Sequence, residues 1–419
     1  PYLCAHLPTP PGERRSVTGT DPGLRILIVG GRILPFRHAG DKNFWLDVIH
    51  ELMARGHDVR VMSVTREPVT VPTPYPCEFV RPIPVYLSGT GRFNHEYRWL
   101  RGTNNYPSKM LSFGRVLRAL RRHILADRPD VIHFSSNFGP VMAFLKPYAL
   151  GVPISISAPT YNGGTLFYDP ALRTSFHGFD TVVPFSDAFA RRLGVMGLSN
   201  TEIRTIRWGV KVDQFRPPTA DERANARREL GILGEEKVGF WAGFLQQMVA
   251  ADFEFAMRVA KQLVRESPGE WRFFFCFKPE HFSPHYARYD RSGITVGGSG
   301  DLFRRAQCAA DVMISPIADM RSTAAPPLTW IETMAQGVPL LTTPIPGADE
   351  VVSDGVSGLL SRNPEEAARR VADFFRSPER VAEARLRARQ QVEERFDLMH
   401  SVTEYVRLWS EMATRPRAS

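Results

Sequence analysis

A single glutamate in the last third of the chain stands where a carboxylate could bind a nucleotide. Glu332 lies in a short predicted helix between two apolar strands, residues 310–316 and Val338 to Leu341. In open parallel sheets, ligands bind at the carboxyl ends of the strands, where such loops and helices meet. A carboxylate at this edge can accept two hydrogen bonds from the paired hydroxyls of a ribose. The pattern therefore predicts that Glu332 contacts a ribose.

The residues around Glu332 resemble one enzyme family. The run Trp330 to Pro339 is similar to the lEAMAxGxPvvat-like run of retaining, family-4 glycosyltransferases of the GT-B fold, and residues 347–360 continue the likeness. The other similar segments are residues 24–29 and 54–59 near the start, DTVVPFS at 180–186 and IRTIRWGVKVDQF at 203–215. These segments follow the order and spacing of the family, and the resemblance covers about residues 24 to 410.

The resemblance implies an α/β protein of the GT-B fold, in which two Rossmann-like domains face each other across a cleft. The expected organisation is an N-terminal arm (1–23), an acceptor domain (24–208), a nucleotide-sugar donor domain (209–395) and a C-terminal helix that crosses back to the first domain (396–419). A nucleotide-diphosphate sugar would be the co-substrate, and no cofactor is expected. The sequence has no evident metal-ligand cluster or DxD-type pair, so independence of metal is expected.

The donor site departs from the family pattern. Family members use two glutamates with seven residues between them, and the first, which contacts the donor sugar, is replaced by Ala324. The arginine that holds the diphosphate is replaced by Phe244, after Gly243, and a lysine about five residues later by an apolar residue near Val249. Two cations normally stabilise the charge that develops on a leaving diphosphate. Other cations must therefore replace them, or activity is lost.

A further departure lies at the end of the predicted strand Asp130 to Phe134. The family often has His-x-His there, whereas this chain has His133-Phe134-Ser135. His133 matches the more structural position, and a satisfied core histidine is the favoured interpretation. Ser135 could donate a hydrogen bond but cannot shuttle a proton as a histidine does.

Three cations could replace the missing ones, although each alone could be an ordinary surface residue. Lys278 ends the predicted strand Arg272 to Phe277, Lys211 takes the place of a family acid, and Arg321 precedes Ala324 by three residues. The predicted catalytic residues are Ser135, Lys278 and Arg321.

The remaining predicted contacts concern the donor and the acceptor. Gly40 and Lys42 match the glycine-rich loop that opens the family's first helix, where backbone amides can bind a phosphate; an ordinary strand-to-helix turn is the alternative. The donor-binding candidates are Gly40, Lys42, Ser186, Lys211, Gly243, Phe244, Gly297, Thr329 and Glu332. For Phe244 a core position is the alternative. The acceptor-binding candidates, mostly in an aromatic, Asn-rich insertion, are Asn94, Tyr97, Tyr106 and Tyr161.

Composition limits the classes of function. The chain of 419 residues is 43% hydrophobic and 23% charged, with no apolar run approaching a membrane span and no apolar segment typical of a secretion signal. Four scattered cysteines without a CxxC favour a reducing, cytoplasmic location. The net charge of +9 is spread over helices that also carry acids, so ordinary surface charge is the first interpretation, an anionic small ligand the second and nucleic acid a distant third. Contact with a membrane is not expected, and the oligomeric state is open.

Three functions remain compatible with these residues. The favoured one is a retaining glycosyltransferase that moves an atypical sugar to a small acceptor, as in specialised, antibiotic-like metabolism. In the mechanism that the resemblance implies, the leaving phosphate itself deprotonates the acceptor. The alternatives are a non-catalytic GT-B protein that binds a nucleotide or a partner enzyme, and a GT-B enzyme of different chemistry.

Overall fold

The computed structural model describes most of the chain. The described residues are 23–31, 33, 40–65, 72–83, 85–86, 101–102, 106–138, 140–158, 173–198, 201–232, 234–243, 250–278, 282–318 and 326–415. The predicted N-terminal arm lies outside them, apart from Gly23.

The first half of the chain forms a parallel sheet of seven strands. The strands are β1 (Arg25–Gly31), β2 (Asp58–Val64), β3 (Cys77–Val80), β6 (Val131–Phe134), β7 (Ile154–Ala158), β8 (Thr181–Pro184) and β9 (Glu202–Ile203), while β4 (Val85–Tyr86) and β5 (Arg101–Gly102) form a separate antiparallel pair. The order in the sheet is β3-β2-β1-β6-β7-β8-β9. Strands β6, β7 and β8 are buried along their whole length, as expected for strands that are covered on both faces.

Helices cover both faces of this sheet. They are α1 (Gly40–Ala54), α2 (Tyr106–Ala126) and α3 (Asp187–Val195). Alternate residues of β1 enter different cores: Ile26 and Ile28 pack with α1, whereas Leu27 and Val29 pack with α2 and α3. This alternation is the two-residue period of an extended strand.

The second half forms a parallel sheet of six strands. The strands are β10 (Lys237–Gly243), β11 (Trp271–Phe277), β12 (Ile294–Gly297), β13 (Val312–Ile314), β14 (Leu340–Thr342) and β15 (Gly358–Leu360), in the order β12-β11-β10-β13-β14-β15. The helices around it are α4 (Ala220–Glu229), α5 (Ala250–Glu266), α6 (Gly300–Ala309), α7 (Leu328–Ala335), α8 (Pro364–Phe374) and α9 (Pro378–Arg395). Two parallel Rossmann-like sheets confirm the predicted fold class.

The chain passes between the two halves twice, and the two crossings pair with each other. The amide of Val210 donates to the carbonyl of Phe396 at 2.9 Å, and the amide of Leu398 donates to the carbonyl of Val210 at 3.0 Å. A Cβ on Gly209 would lie 2.6 Å from the backbone of Asp397, so only glycine allows this approach. Helix α10 (Leu398–Thr414) then packs against α1 and β6 of the first sheet.

Residues 140–149 do not form one continuous helix. The sequence from Gly139 to Leu150 predicts a single helix, but the structure has two short 3-10 helices, Pro140–Phe144 and Lys146–Ala149. Pro147 disfavours a continuous α-helix because it lacks an N–H and restricts the residue before it. Leu150 closes the second turn in the left-handed conformation, at φ 51°.

Within the described residues, no helix is long and apolar enough to cross a membrane. Cys276 is buried in the hydrophobic core, and Cys308 packs against that core but is partly exposed. Burial raises the pKa of the Cys308 thiol, so it is a weak nucleophile at neutral pH.

Candidate active site

Glu332 stands on the partly exposed side of helix α7. The neighbouring side chains of Trp330, Ile331 and Met334 are fully buried and fix the other side of the helix in the core. The indole Nε1 of Trp330 donates to Ser315 Oγ at 2.8 Å, which ties the helix to the end of β13. Thr329 lies one helical turn before Glu332 and is also partly exposed. The structure therefore places both predicted residues at the carboxyl edge of the second sheet.

Three more predicted residues lie at the same edge, at the ends of adjacent strands. Gly243 ends β10, Lys278 follows β11, and Gly297 ends β12. The amide of Lys278 donates to the carbonyl of Gly243 at 3.0 Å, so the ladder continues one residue beyond Phe277. A Cβ on Gly297 would lie 2.5 Å from Cδ2 of Leu302 in helix α6, so a glycine at the end of β12 leaves room for that side chain. The structure brings Gly243, Lys278 and Gly297 together along one edge.

At the carboxyl edge of the first sheet, Lys42 is held by Ser136, which is not among the residues predicted from the sequence. Gly40 begins helix α1, and Lys42 Nζ donates to Ser136 Oγ at 3.1 Å. The amide of Gly31 donates to the same oxygen at 3.0 Å. This serine anchors a cation beside the amino end of a helix, where backbone amides favour an anion.

Ser135, the predicted hydrogen-bond donor, is placed differently from its neighbour. Its side chain is only 2% exposed, and its hydroxyl has no hydrogen-bond partner within the described structure. A Cβ on Gly30 would lie 2.0 Å from Ser135 Oγ, so the hydroxyl faces β1. The structure therefore brings Ser136, and not Ser135, to Lys42. The two serines are adjacent in the sequence, and only the side chain directions distinguish them.

His133 is a core residue with both ring nitrogens satisfied. Nδ1 lies 2.8 Å from Ser155 Oγ, Nε2 lies 2.9 Å from Ser157 Oγ, and the side chain has no exposed surface. The Tyr405 hydroxyl lies 2.9 Å from Ser157 Oγ, and Trp409 Nε1 donates to Ser155 Oγ at 3.2 Å. Burial lowers the pKa of His133 to about 3, so the ring is neutral at physiological pH. This network attaches helix α10 to the first sheet.

Lys211, a candidate replacement cation, is paired with an acid of helix α1. Its Nζ lies 3.3 Å from Asp47 Oδ1, and the lysine and aspartate side chains are 29% and 13% exposed. The pair joins the segment after the first sheet to the helix that carries Lys42. This contact gives Lys211 a structural role that the sequence did not predict.

Ser186 is a helix cap and not an open ligand. It is 3% exposed, and its hydroxyl accepts a hydrogen bond from the amide of Phe189 at 3.2 Å, at the start of α3. Glu350, from the second half of the chain, accepts from the amides of Asp187 and Ala188 at 3.0 and 2.8 Å. Arg207 contacts both Asp187 and Glu350, so a charged cluster holds the second half against helix α3.

Aromatic packing supplies another contact between the two halves. Trp208 is stacked on Phe185 with ring centroids 4.5 Å apart, and Phe44 of α1 meets both rings edge-on. Trp208 Nε1 donates to the carbonyl of Pro326 at 3.0 Å, just before helix α7. Helix α7 itself contacts helix α1. The elements that carry Glu332 and Lys42 are therefore fixed relative to each other.

The other predicted residues cannot be placed in this site. Phe244, Arg321, Asn94, Tyr97 and Tyr161 lie outside the described residues, as does the vacant position Ala324. Tyr106 begins helix α2, and only its backbone is described.

Glu350 and Ser136 were missed because their partners are distant in sequence. Glu350 belongs to a segment, 347–360, that was noted only as part of the resemblance. Its signal is an acid three residues after the glycine of a turn, Gly347, which has φ 88°. Ser136 follows a buried strand together with Ser135, so a polar pair at a strand end was the available signal.

Two family descriptions match successive parts of the chain. Residues 42–209 match the Glycosyl transferase 4-like domain, and residues 236–377 match Glycosyl transferases group 1. The two matched ranges contain the seven-stranded and the six-stranded sheet almost completely.

Among curated proteins, the chain is similar to D-inositol 3-phosphate glycosyltransferases. That of Streptomyces scabiei is 29% identical over 199 residues, which is 42% of this chain and 42% of the relative. That of Nocardia farcinica is 26% identical over 215 residues, which is 45% of this chain and 43% of the relative. The matched part thus spans less than half the length of these relatives.

Solved structures agree along nearly the whole chain. Sucrose-phosphate synthase from Thermosynechococcus elongatus superposes with a TM-score of 0.69 at 14% identity, covering 92% of this chain and 98% of that one. The Anabaena protein HepE in complex with UDP gives a TM-score of 0.67 at 14% identity, covering 93% and 100%. At this identity the likeness establishes the fold. The chain therefore has the GT-B fold and belongs to the group 1, or family-4, glycosyltransferases.

Proposed function

We propose that this chain is a retaining glycosyltransferase that transfers a sugar from a nucleotide-diphosphate donor to a small-molecule acceptor. The proposal rests on the position of Glu332. This acid is partly exposed on helix α7, at the edge where Gly243, Lys278 and Gly297 end their strands. Helix α7 contacts helix α1, whose amino end carries Lys42.

Glu332 would bind the ribose of the donor. A carboxylate can accept one hydrogen bond from each of two adjacent hydroxyls, and hydrogen bonds to a charged group contribute about 1.5–3 kcal/mol each. The fully buried Trp330 and Ile331, which directly precede Glu332, hold the backbone of helix α7 in place, so the carboxylate is positioned before a ligand arrives.

Lys42 and Lys278 would stabilise the diphosphate from opposite sides of the cleft. Lys42 is oriented by Ser136 beside the amino end of α1, and Lys278 ends a strand of the second sheet next to Gly243. Charge develops on the diphosphate as the glycosidic bond breaks, so a cation on each side lowers the barrier. Lys211 would act indirectly, because its pair with Asp47 holds helix α1 in place.

The finer parts of the proposal concern the donor, the acceptor and the biological setting. Ala324 stands where the family has the acid that contacts the donor sugar, which favours an atypical sugar. We further propose that the acceptor belongs to specialised, antibiotic-like metabolism. The enzyme would be cytoplasmic and would need no metal. The curated relatives act, by their names, on D-inositol 3-phosphate, and HepE was crystallised with UDP-glucose. These are the first acceptor and donor to assay.

A second candidate is a non-catalytic GT-B protein that binds a nucleotide. Phe244 in place of the family arginine, together with the engagement of Lys211 by Asp47, removes two cations from the expected diphosphate contacts. Both candidates predict nucleotide binding, but only the first predicts sugar transfer.

Thermal unfolding with UDP, GDP, ADP and dTDP tests both candidates. A nucleotide at a hundred times its dissociation constant should stabilise the fold by about 2.7 kcal/mol. The proposal expects one nucleotide to stabilise the wild type, and the matching nucleotide sugar to be consumed in the presence of an acceptor. Stabilisation without any transfer would support the non-catalytic candidate, and no stabilisation by any of the four would contradict both.

A further inference from the structure

One outer surface of the first half combines exposed apolar side chains with arginines. Helix α2 has 21 residues and contains no acid. Five exposed residues repeat at helical spacing along its outer side: Leu111, Arg115, Arg118, Arg122 and Leu125. Leu111 is 57% exposed and Leu125 is 67% exposed. Exposed apolar side chains that lie together on one surface often mark an interaction site.

Three of the four arginines on this helix have no acid partner within the described part of the chain. Arg122 pairs with Glu78, and Arg115 donates to the carbonyl of Arg81 at 2.9 Å. Arg118 and the neighbouring exposed Arg121 form no ion pair within the described part of the chain. The surface therefore keeps a positive charge between two apolar ends.

The acids closest to this surface are already paired. Glu78 lies 2.7 Å from His123 Nε2 and also contacts Arg122, and Asp127 pairs with Arg25 and Arg60 at the base of the sheet. Glu78 and Asp127 therefore do not neutralise the charge of Arg118 or Arg121. An approaching partner therefore meets a cationic surface.

The 3-10 helices beside α2 extend the apolar part of the surface. Both pack against α2 in the same layer, with Met142, Leu145 and Ala149 in the core that α2 also covers. On their outer side Phe144 is 68% exposed and Tyr148 is 41% exposed. Lys146 lies between them and pairs with Asp180 at 3.1 Å.

We propose that this surface, formed by the outer sides of α2 and residues 140–149, docks on a bilayer that contains anionic lipids. A helix with basic residues and exposed large apolar residues lies in the membrane interface, where the apolar side chains insert and the basic ones meet anionic headgroups. Aromatic side chains such as Phe144 and Tyr148 favour the same depth. This proposal departs from the expectation that the protein makes no membrane contact.

A nucleic acid is less suited to this surface. Phosphates would use the arginines but would leave Leu111, Leu125 and Phe144 in water, because a duplex backbone offers no apolar contact to them. An anionic bilayer satisfies both kinds of side chain. The protein would bind at the surface of the bilayer without crossing it.

Co-sedimentation with vesicles tests the proposal. The full chain should sediment with vesicles of phosphatidylglycerol and phosphatidylcholine in equal parts and should stay in solution with pure phosphatidylcholine. Each basic residue near an anionic surface is worth about a fivefold change in binding, so Arg118→Gln with Arg121→Gln should weaken binding by about 30-fold. Leu125→Gln with Phe144→Ser should weaken it at least about tenfold, since each removes an inserted apolar side chain.

The matched control changes two exposed arginines of the second half, Arg362→Gln with Arg369→Gln, which alters the net charge equally. This variant should bind like the wild type, and all variants should keep the wild-type unfolding temperature because the positions are exposed. Failure of the wild type to sediment with anionic vesicles would overturn the proposal. The proposal would also be overturned if only the arginine variant lost vesicle binding and the wild type bound tightly to heparin. The surface would then be a general binding site for polyanions.

Discussion

His133, on strand β6 of the first sheet, and Glu332, on helix α7 beside the second sheet, differ in everything around them. Each lies near the carboxyl edge of a parallel sheet, where ligands bind in this kind of fold. His133 has no exposed surface and uses both ring nitrogens within the protein, whereas Glu332 is partly exposed on the outer side of a helix. A histidine is the more common catalytic residue, yet here the glutamate is the one that a ligand can reach.

The difference shows that residue type alone does not identify a functional residue. The ring of His133 is enclosed by Trp45, Tyr405 and Trp409, with centroids 4.6 to 5.4 Å away. Desolvation keeps it neutral, and its hydrogen bonds hold helix α10. We therefore expect changes at His133 to affect stability and changes at Glu332 to affect binding and turnover. The following predictions test this separation.

The largest effect is expected for His133→Ala. The change leaves a cavity and removes hydrogen bonds to two buried hydroxyls, so the free energy of unfolding should fall by about 3–4 kcal/mol. Urea denaturation measures the loss, and His177→Ala, at an exposed histidine, is the matched control with little expected change. If His133→Ala kept its stability and lost turnover, His133 would be catalytic and the comparison would be wrong.

The next effect concerns Glu332→Gln, which removes the charge that strengthens two hydrogen bonds. We expect kcat/KM to fall by about 30-fold, equivalent to about 2 kcal/mol, with the free energy of unfolding unchanged. Glu254→Gln, on the exposed side of helix α5, is the control of equal charge. Equal activity of the two variants would show that Glu332 does not contact the donor.

The pH dependence of stability gives a smaller effect with a defined sign. His133 has a pKa lowered to about 3 in the folded protein and 6.5 when unfolded, so the unfolded chain binds the extra proton first. The contribution of neutral His133 to the free energy of unfolding is complete above pH 6.5 and is lost as the pH falls toward 3. Between about pH 7 and pH 5.5 the wild type should lose about 1.3 kcal/mol more than His133→Gln. An equal loss in both would show that His133 is not buried in its neutral form.

The smallest effect is expected for Lys278→Ala. A single partly exposed cation near a diphosphate contributes about 1 kcal/mol, so the affinity for the preferred nucleoside diphosphate should fall about fivefold. Lys261→Ala, on helix α5, removes the same charge away from the edge. Unchanged nucleotide affinity and turnover in Lys278→Ala would exclude this lysine from the donor site.

Much of the fold was predictable because the segments have clear periodicity. The amphipathic pattern of residues 250–266 predicts the helix that the structure shows, Ala250–Glu266, and the predicted strand Arg272 to Phe277 is one residue shorter than the observed strand Trp271–Phe277. Helices Asp187–Val195 and Gly300–Ala309 were missed, although Ser186 and Ser299 cap them. Their capping signals were present but were not used.

The site was less predictable because its contacts join distant parts of the chain. Glu332, Gly243 and Lys278 follow from local strand ends, so the sequence placed them at one edge. The pairs Lys42 with Ser136 and Lys211 with Asp47 depend on how helix α1 packs, which no local pattern encodes. Ser135 and Ser136 differ only in the direction of their side chains, and such a difference appears only in the folded structure.

A crystal structure with the stabilising nucleoside diphosphate tests the central claim most directly. The account predicts that both ribose hydroxyls lie within hydrogen-bond distance, about 2.5–3.0 Å, of the Glu332 carboxylate. A bound nucleotide whose ribose lies elsewhere, with Glu332 directed into protein contacts, would contradict it.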